Sequence, residues 1–84
     1  MNVTKNNQIE ATVLLVLSVI LKQPLSSFDS KSSMQNVSGW DSLKHIEIIF
    51  AIEEELSVQF SETELGELRS VSKIVNAVGD RYET

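Results

Sequence analysis

Hydrophobic residues recur along this chain at helical rather than strand spacing, and the first such segment runs from Thr4 to Leu21. Thr4 is its predicted N-cap. Lys22, Gln23 and Pro24 end the segment, because proline disfavours helical backbone at the preceding residue and has no amide hydrogen to donate. The apolar positions of this first predicted helix are Ile9, Val13, Val16, Leu17, Ile20 and Leu21.

A connection of 19 residues, from Lys22 to Trp40, follows and shows no hydrophobic period. Connections of this length are functional, disordered, or held against the core by their own side chains. We expect the last of these, with four apolar residues lying among six serines as anchors: Leu25, Phe28, Met34 and Val37.

A second helix is predicted from Asp41 and Ser42, which provide an N-cap and a first turn, and it continues from Leu43 to Leu56 without a helix breaker. This helix carries more apolar surface than a single stripe facing the core requires. One of its stripes contains Ile48, Ile49, Ile52 and Leu56. The other, about a third of a turn away, contains Leu43, Ile46 and Phe50. We expect one stripe to face solvent and a partner, the alternative being a central helix buried on two sides.

Two shorter helical segments complete the pattern. Residues 61–64 (Ser-Glu-Thr-Glu) form a capping box ahead of a short helix that ends near Leu68. Ser70 caps the last helix, whose apolar face contains Val71, Ile74, Val75, Val78 and Tyr82. The sequence therefore predicts an all-α single domain over residues 1–84: a small four-helix bundle of three longer helices and one short helix, with a long loop between the first two.

The acidic charge is concentrated on the second and third predicted helices. Between Asp41 and Glu67 there are eight acids and one base, Lys44, which gives a charge of −7. The remainder has four acids and six bases, which gives +2, and the sum is the net charge of −5. This balance argues against nucleic-acid binding, which requires a basic surface. An acidic rim beside an exposed apolar stripe suits a partner with a basic face, although a charge run alone is usually only a solvated surface.

Size and composition exclude several other classes. A chain of 84 residues is short for a deep catalytic cleft, and without cysteine it has neither a disulfide framework nor a thiolate metal site. The apolar run over residues 13–21 begins too late for a signal peptide and is about half the length that crosses a bilayer. We therefore expect a cytoplasmic protein without a membrane span.

Hydrolase and metal sites also fit poorly. Asp41, Ser42 and His45 supply the residue types of a hydrolytic triad, but the serine and histidine lie one turn apart on one helix with no evident third group to orient the ring. We expect His45 to lie at the surface or to face a partner. With one histidine, no cysteine and glutamates spread along a helix, no metal site is expected.

Ser42 stands at the head of the second helix, where unpaired amides and the positive end of the helix dipole accommodate a phosphodiester. The motif Gly39-x-Asp41-Ser42-Leu43, followed by the run I-E-I-I-F-A-I-E-E-E-L over residues 46–56, resembles the acyl carrier protein family. The similarity extends more weakly on both sides and covers roughly residues 35–80. A short Asp-Ser-Leu motif alone would carry little weight, but its register with this run makes the resemblance specific.

The resemblance implies that Ser42 carries a 4'-phosphopantetheine arm, attached from coenzyme A by a phosphopantetheinyl transferase, and that the thiol of the arm holds an acyl group as a thioester. It further implies that Asp41 assists recognition by the transferase. By the same resemblance, the chain is a carrier without catalytic activity, expected to be monomeric, that meets acyl-loading and acyl-processing enzymes with basic docking faces. The implied partner-binding residues are Leu43, Ile46, Glu47, Phe50, Glu53 and, nearby, Glu54.

The sequence departs from the family pattern at three positions. Lys44 stands where many fatty-acid carriers have an acid, Trp40 precedes the aspartate, and Phe50 replaces a frequent methionine. These departures favour a carrier of a specialised biosynthetic pathway over one of housekeeping fatty-acid synthesis. Two alternatives stay open: an aminoacyl rather than an acyl cargo, and an unmodified acidic helical interaction module, which would leave the motif around Ser42 as coincidence.

Overall fold

A computed structural model describes the backbone of residues 2–82 and the side chains of residues 7–81. Over this range the chain forms four α-helices and one 3₁₀ turn (Leu25–Ser27) and contains no β-strand. The helices are α1 (Asn2–Leu21), α2 (Ser42–Leu56), α3 (Glu62–Glu67) and α4 (Val71–Tyr82). The predicted all-α bundle of three longer helices and one short helix is thus confirmed. No helix within the described residues is long and apolar enough to cross a membrane.

The start of α1 differs from the prediction, whereas its end agrees. The helix begins at Asn2, so Thr4 lies within its first turn and is not its N-cap. Neither Asn2 nor Val3 is a helix breaker, so nothing in the sequence stops the helix at Thr4. The side chain of Thr4 lies outside the described residues. At the other end, Lys22 adopts a left-handed conformation (φ 57°), which closes the helix just before Pro24.

The core lies between α1 and the two helices that pack against it, α2 and α4. The apolar faces predicted for α1, α2 and α4 are buried at most of their positions. Leu56 and the last two apolar residues of α1, Ile20 and Leu21, are only partly buried. The side chain of Tyr82 lies outside the described residues. Within this core α1, α2 and α4 contribute nine fully buried side chains: Ile9, Val13, Leu17, Ile48, Ile49, Ile52, Val71, Ile74 and Val78.

The long connection between α1 and α2 is anchored by most of the predicted residues. Phe28 is buried, and Met34 and Val37 are partly buried against the core. Leu25 is not an anchor, because it lies in the 3₁₀ turn, which buries none of its residues, and it stays 49% exposed. The connection gains an anchor that the sequence analysis did not identify, the indole of Trp40.

Hydrogen bonds hold this connection in its middle and near its end. The amide of Met34 donates to the carbonyl of Arg69 (3.0 Å) and the amide of Val71 donates to that of Ser32 (2.9 Å), so its middle is tied to the start of α4. Near its end, Nε2 of Gln23 donates to the carbonyl of Ser38 (2.7 Å). The segment that leads into α2 is therefore fixed against the end of α1.

Candidate functional site

The first turn of α2 presents the Ser42 hydroxyl to solvent. Asp41 is the N-cap: its Oδ1 accepts from the amide of Lys44 (2.9 Å) and its carbonyl accepts from the amide of His45 (2.8 Å). Ser42 therefore has no capping role, and its side chain makes no hydrogen bond within the described residues. The exposed Ser42 side chain thus lies at the positive end of a 15-residue helix.

A tight turn brings the chain into this position. The amide of Asp41 donates to the carbonyl of Gly39 (3.0 Å), and that of Trp40 donates to Val37 (3.3 Å). Gly39 has a φ of 86°, a conformation that side chains with a Cβ rarely adopt. A Cβ there would meet Nε2 of Gln23 at 3.7 Å, which is ordinary contact. Glycine is required at position 39 by the backbone conformation and not by lack of space.

Behind this turn, Trp40 and His45 form a buried polar pair, only 3% and 5% exposed. The indole Nε1 of Trp40 donates to Nδ1 of His45 (3.1 Å). Since Nδ1 is thereby an acceptor, the ring proton is on Nε2, which donates to the carbonyl of Leu65 on α3 (2.8 Å). The pair links the residue before the Asp-Ser-Leu motif to α3.

The expectation that His45 lies at the surface or faces a partner is wrong. The prediction placed His45 at the surface because histidine is polar. In the structure, each ring nitrogen has a hydrogen-bond partner inside the protein, which makes burial of the ring possible. Burial lowers the pKa of His45 below its ordinary value of 6.5, the bond to Leu65 opposes this shift, and the charge of Arg69 adds to it. Both ring nitrogens are engaged with Trp40 and Leu65, so His45 is not placed to act as a base toward Ser42.

Three large apolar side chains of α2 face solvent: Leu43 (67% exposed), Ile46 (39%) and Phe50 (60%). We refer to them as the apolar surface of α2. The prediction that one stripe is buried and the other exposed is confirmed, and burial on two sides is wrong. The apolar surface of α2 lies on the same helix as Ser42, with Leu43 directly following that serine.

The predicted acidic contacts beside this surface have different environments. Glu47 is exposed and pairs with Lys44 across one turn (3.7 Å), so the lysine partly offsets its charge. Glu53 is partly buried, and its Oε2 accepts from the amide of Phe60 (2.7 Å) after the end of α2. Glu54 is exposed and lies at the edge of a groove between α1 and α2. Glu53 therefore has a structural role in addition to its predicted docking role.

That groove is an apolar depression of about 280 Å³ which the sequence analysis missed. The sequence of α1 did indicate such a groove, because its apolar residues occupy more positions than one buried face requires. Two of these residues, Leu15 (54% exposed) and Val19 (66%), remain exposed to solvent. We call it the α1–α2 groove; it is lined by Thr12, Leu15, Val16, Val19, Ile20, Ala51, Glu54 and Glu55.

The short helix α3 is held by polar contacts at both ends. Ser61 and Glu64 form the predicted capping box, in which each side chain accepts from the backbone amide of the other. Glu64 also pairs with Arg81 of α4, and these hydrogen bonds, that from Arg81 foremost, lower the pKa of its carboxyl. The Arg81 guanidinium also lies over the Phe60 ring (4.6 Å). With the bond from His45, α3 is fastened to both α2 and α4.

Comparisons with known proteins point to one family. Residues 11–78 match the family model described as "Phosphopantetheine attachment site". The mitochondrial acyl carrier protein of Neurospora crassa is 31% identical over 67 residues, a match that covers 69% of this chain and 50% of that protein. The acyl carrier protein of Buchnera aphidicola subsp. Schizaphis graminum is 27% identical over 75 residues, covering 89% of this chain and 95% of that protein. Because the family model for the phosphopantetheine attachment site matches most of its length, the chain belongs to the acyl carrier protein family.

Proposed function

We propose that Ser42 is the attachment residue for 4'-phosphopantetheine and that the chain carries acyl intermediates between partner enzymes. The observation that carries this proposal is the exposed Ser42 hydroxyl at the head of α2, which is left free because Asp41 caps the helix. When bound, the arm supplies a terminal thiol that holds an acyl group as a thioester, a function for which the chain has no cysteine of its own.

The residues around Ser42 fit a phosphodiester. Within the described part of the chain nothing accepts a hydrogen bond from the amides of Ser42 and Leu43, so both are available to an anion. The Oδ1 of Asp41 accepts from the amide of Lys44 and does not compete for the amides of Ser42 and Leu43. The arm would be held through a phosphodiester on Oγ of Ser42. In forming it, the serine proton would pass to solvent or to a base of the transferase, and the pyrophosphate bond of coenzyme A would break, so that adenosine bisphosphate leaves.

Partner enzymes are proposed to dock on the apolar surface of α2. Its exposure beside Ser42 supports this, because a partner covering it would also face the arm. Glu47 and Glu54 offer exposed carboxylates to a basic docking face, such as that of the phosphopantetheinyl transferase or of acyl-loading and acyl-processing enzymes. Asp41 is proposed to assist the transferase, and Glu53 to contribute charge beyond its bond to Phe60.

We also propose that the chain serves a specialised biosynthetic pathway, is located in the cytoplasm and is monomeric. Two residues support the proposed pathway. Lys44 pairs with Glu47 and so reduces the negative charge near Ser42. Trp40 has a buried indole at a position where a small or polar residue is common in the family. An aminoacyl cargo is the alternative, and loading assays with acyl and aminoacyl substrates separate the two.

Intact mass after incubation with coenzyme A and a promiscuous phosphopantetheinyl transferase tests the attachment residue. We expect the native chain to gain the mass of one phosphopantetheine group and the Ser42→Ala chain to gain none, while both keep the same circular dichroism spectrum. Ser38→Ala is the matched control, since this exposed serine lies in the same region and should leave the mass gain intact. No gain in the native chain, or a gain that persists in Ser42→Ala, would favour the unmodified interaction module.

The charge of the docking surface is tested by Glu47→Lys. Glu47 is exposed and its ion pair is with Lys44 of the same helix, so we expect an unchanged fold and a rate of arm transfer that falls by about tenfold at low salt. Added salt should slow transfer to the native chain and narrow the difference between the two proteins. Transfer rates that respond neither to Glu47→Lys nor to salt would exclude this docking mode.

A further inference from the structure

The α1–α2 groove is a second exposed apolar feature, and it faces a different direction from the apolar surface of α2. Ala51 lines the groove and follows Phe50 by one residue, which places the two about 100° apart around the helix. Glu54 lies between these directions on α2. A molecule seated in the groove would therefore leave Leu43 and Phe50 largely uncovered.

The two walls of the groove differ in charge. Its α1 wall presents Thr12, Leu15 and Val19, which are uncharged, whereas its α2 wall carries the carboxylates of Glu54 and Glu55. Neither carboxylate forms an ion pair within residues 7–81. An occupant that matches both walls has apolar side chains directed into the groove and positive charge along one flank only.

The length of the groove limits the size of that occupant. Thr12 and Val19 are seven residue steps apart, or about 10 Å at 1.5 Å per step, so the groove accommodates about two turns of a helix. A second copy of this chain fits poorly, because the net charge is −5 and a stable dimer buries about 800 Å² on each partner, far more than a groove of this length provides.

We propose that the α1–α2 groove is a docking site for an amphipathic helix of another protein, with apolar side chains at positions i and i+4 and Lys or Arg along one flank. The apolar side chains would cover Leu15 and Val19, and the basic flank would meet Glu54 and Glu55. Docking here does not involve Ser42, so it occurs with or without the phosphopantetheine arm.

The experiment is an NMR titration of isotope-labelled Ser42→Ala chain, prepared without a transferase or coenzyme A, with a synthetic amphipathic helical peptide that has leucines at i and i+4 and lysines along one flank. We expect the amide shifts of Leu15, Val19 and Ala51 to change most. Because binding is measured without the arm, a negative result here is independent of whether Ser42 is the attachment residue.

Two exposed residues provide matched variants. Val19→Asp should weaken peptide binding by about tenfold, and Phe50→Asp, on the apolar surface of α2, by less than about twofold. Glu55→Lys should weaken binding of the lysine peptide and strengthen binding of a peptide with glutamates in the same places. Unchanged circular dichroism spectra establish that the variants fold.

Three results would overturn the proposal. The first is a set of shift changes confined to the apolar surface of α2, and the second is equal weakening by Val19→Asp and Phe50→Asp. The third is self-association of the peptide-free chain that Val19→Asp abolishes, which would assign the groove to a second copy.

Discussion

Replacing His45 by alanine removes both hydrogen bonds of the buried pair at once. The Trp40 Nε1 proton loses its acceptor at 3.1 Å, and the Leu65 carbonyl loses its donor at 2.8 Å. A buried group left unsatisfied costs about 1–3 kcal/mol. Adding the apolar contacts of the lost ring, we expect His45→Ala to lower the free energy of unfolding by about 3 kcal/mol, a large part of the roughly 5–15 kcal/mol typical of a domain.

The same pair makes stability depend on pH. His45 binds a proton less readily in the folded chain, where its pKa lies below 6.5, than in the unfolded chain. A depressed folded pKa contributes stability that is present above the unfolded pKa and is lost as pH falls through the folded pKa. Stability should therefore decline as pH falls below about 6.5, with a slope of at most about 1.4 kcal/mol per pH unit from this one group.

Urea unfolding followed by circular dichroism at pH 5.0 to 7.5 measures both effects while most carboxylates stay ionised. His45→Gln, which has no titrating ring, should lose the part of the pH dependence that His45 causes. In a double-mutant cycle, Trp40→Phe removes the orphaned donor, so the double variant should be about 1 kcal/mol more stable than the sum of the two single changes predicts. A cost of His45→Ala below about 1 kcal/mol, or the same pH slope in His45→Gln as in the native chain, would refute this reasoning.

Two further predictions concern backbone conformation and the attachment of α3. Gly39→Ala should lower the free energy of unfolding, measured with urea, by about 1–2 kcal/mol, because residue 39 has a φ of 86°. Gly66→Ala should raise it by about 0.5–1 kcal/mol, because Gly66 lies in α3 and a Cβ there meets nothing within 4 Å. Effects of the same sign would contradict the left-handed conformation of Gly39. Arg81→Met should cost about 1–2 kcal/mol, since it removes the Glu64 pair and the contact with Phe60. Arg69→Met, which removes only an exposed bond to a carbonyl, should cost less than about 0.5 kcal/mol, and equal costs for the two would contradict this attachment of α3.

Much of the fold and the position of Ser42 could be predicted from the sequence, because these features depend on neighbours close along the chain. A capping residue acts within three positions, as the Asp41 side chain does in accepting from the amide of Lys44 and the Ser61 side chain in accepting from that of Glu64. Periodicity likewise places residues on helix faces without reference to the rest of the chain. The end of α1, the capping box and the position of Ser42 at the head of α2 followed from such local rules.

Other features required contacts between distant parts of the chain. Periodicity gives the angle between the two stripes of α2, but only packing against α1 decides which of them is buried. The groove likewise exists only because α1 and α2 meet beside Leu15 and Val19.

His45 shows the limit most clearly. A histidine can lie at the surface, and it can also be buried when both ring nitrogens have hydrogen-bond partners. One partner of His45, the carbonyl of Leu65, lies 20 residues away in the sequence. The sequence by itself determined the order and approximate bounds of the helices and the place of Ser42 at the head of α2, since these depend on local backbone chemistry. Only the tertiary structure decided the burial of His45 and Trp40, the exposure of Leu25 and the presence of the groove, since the free energy of burial depends on which distant groups come into contact.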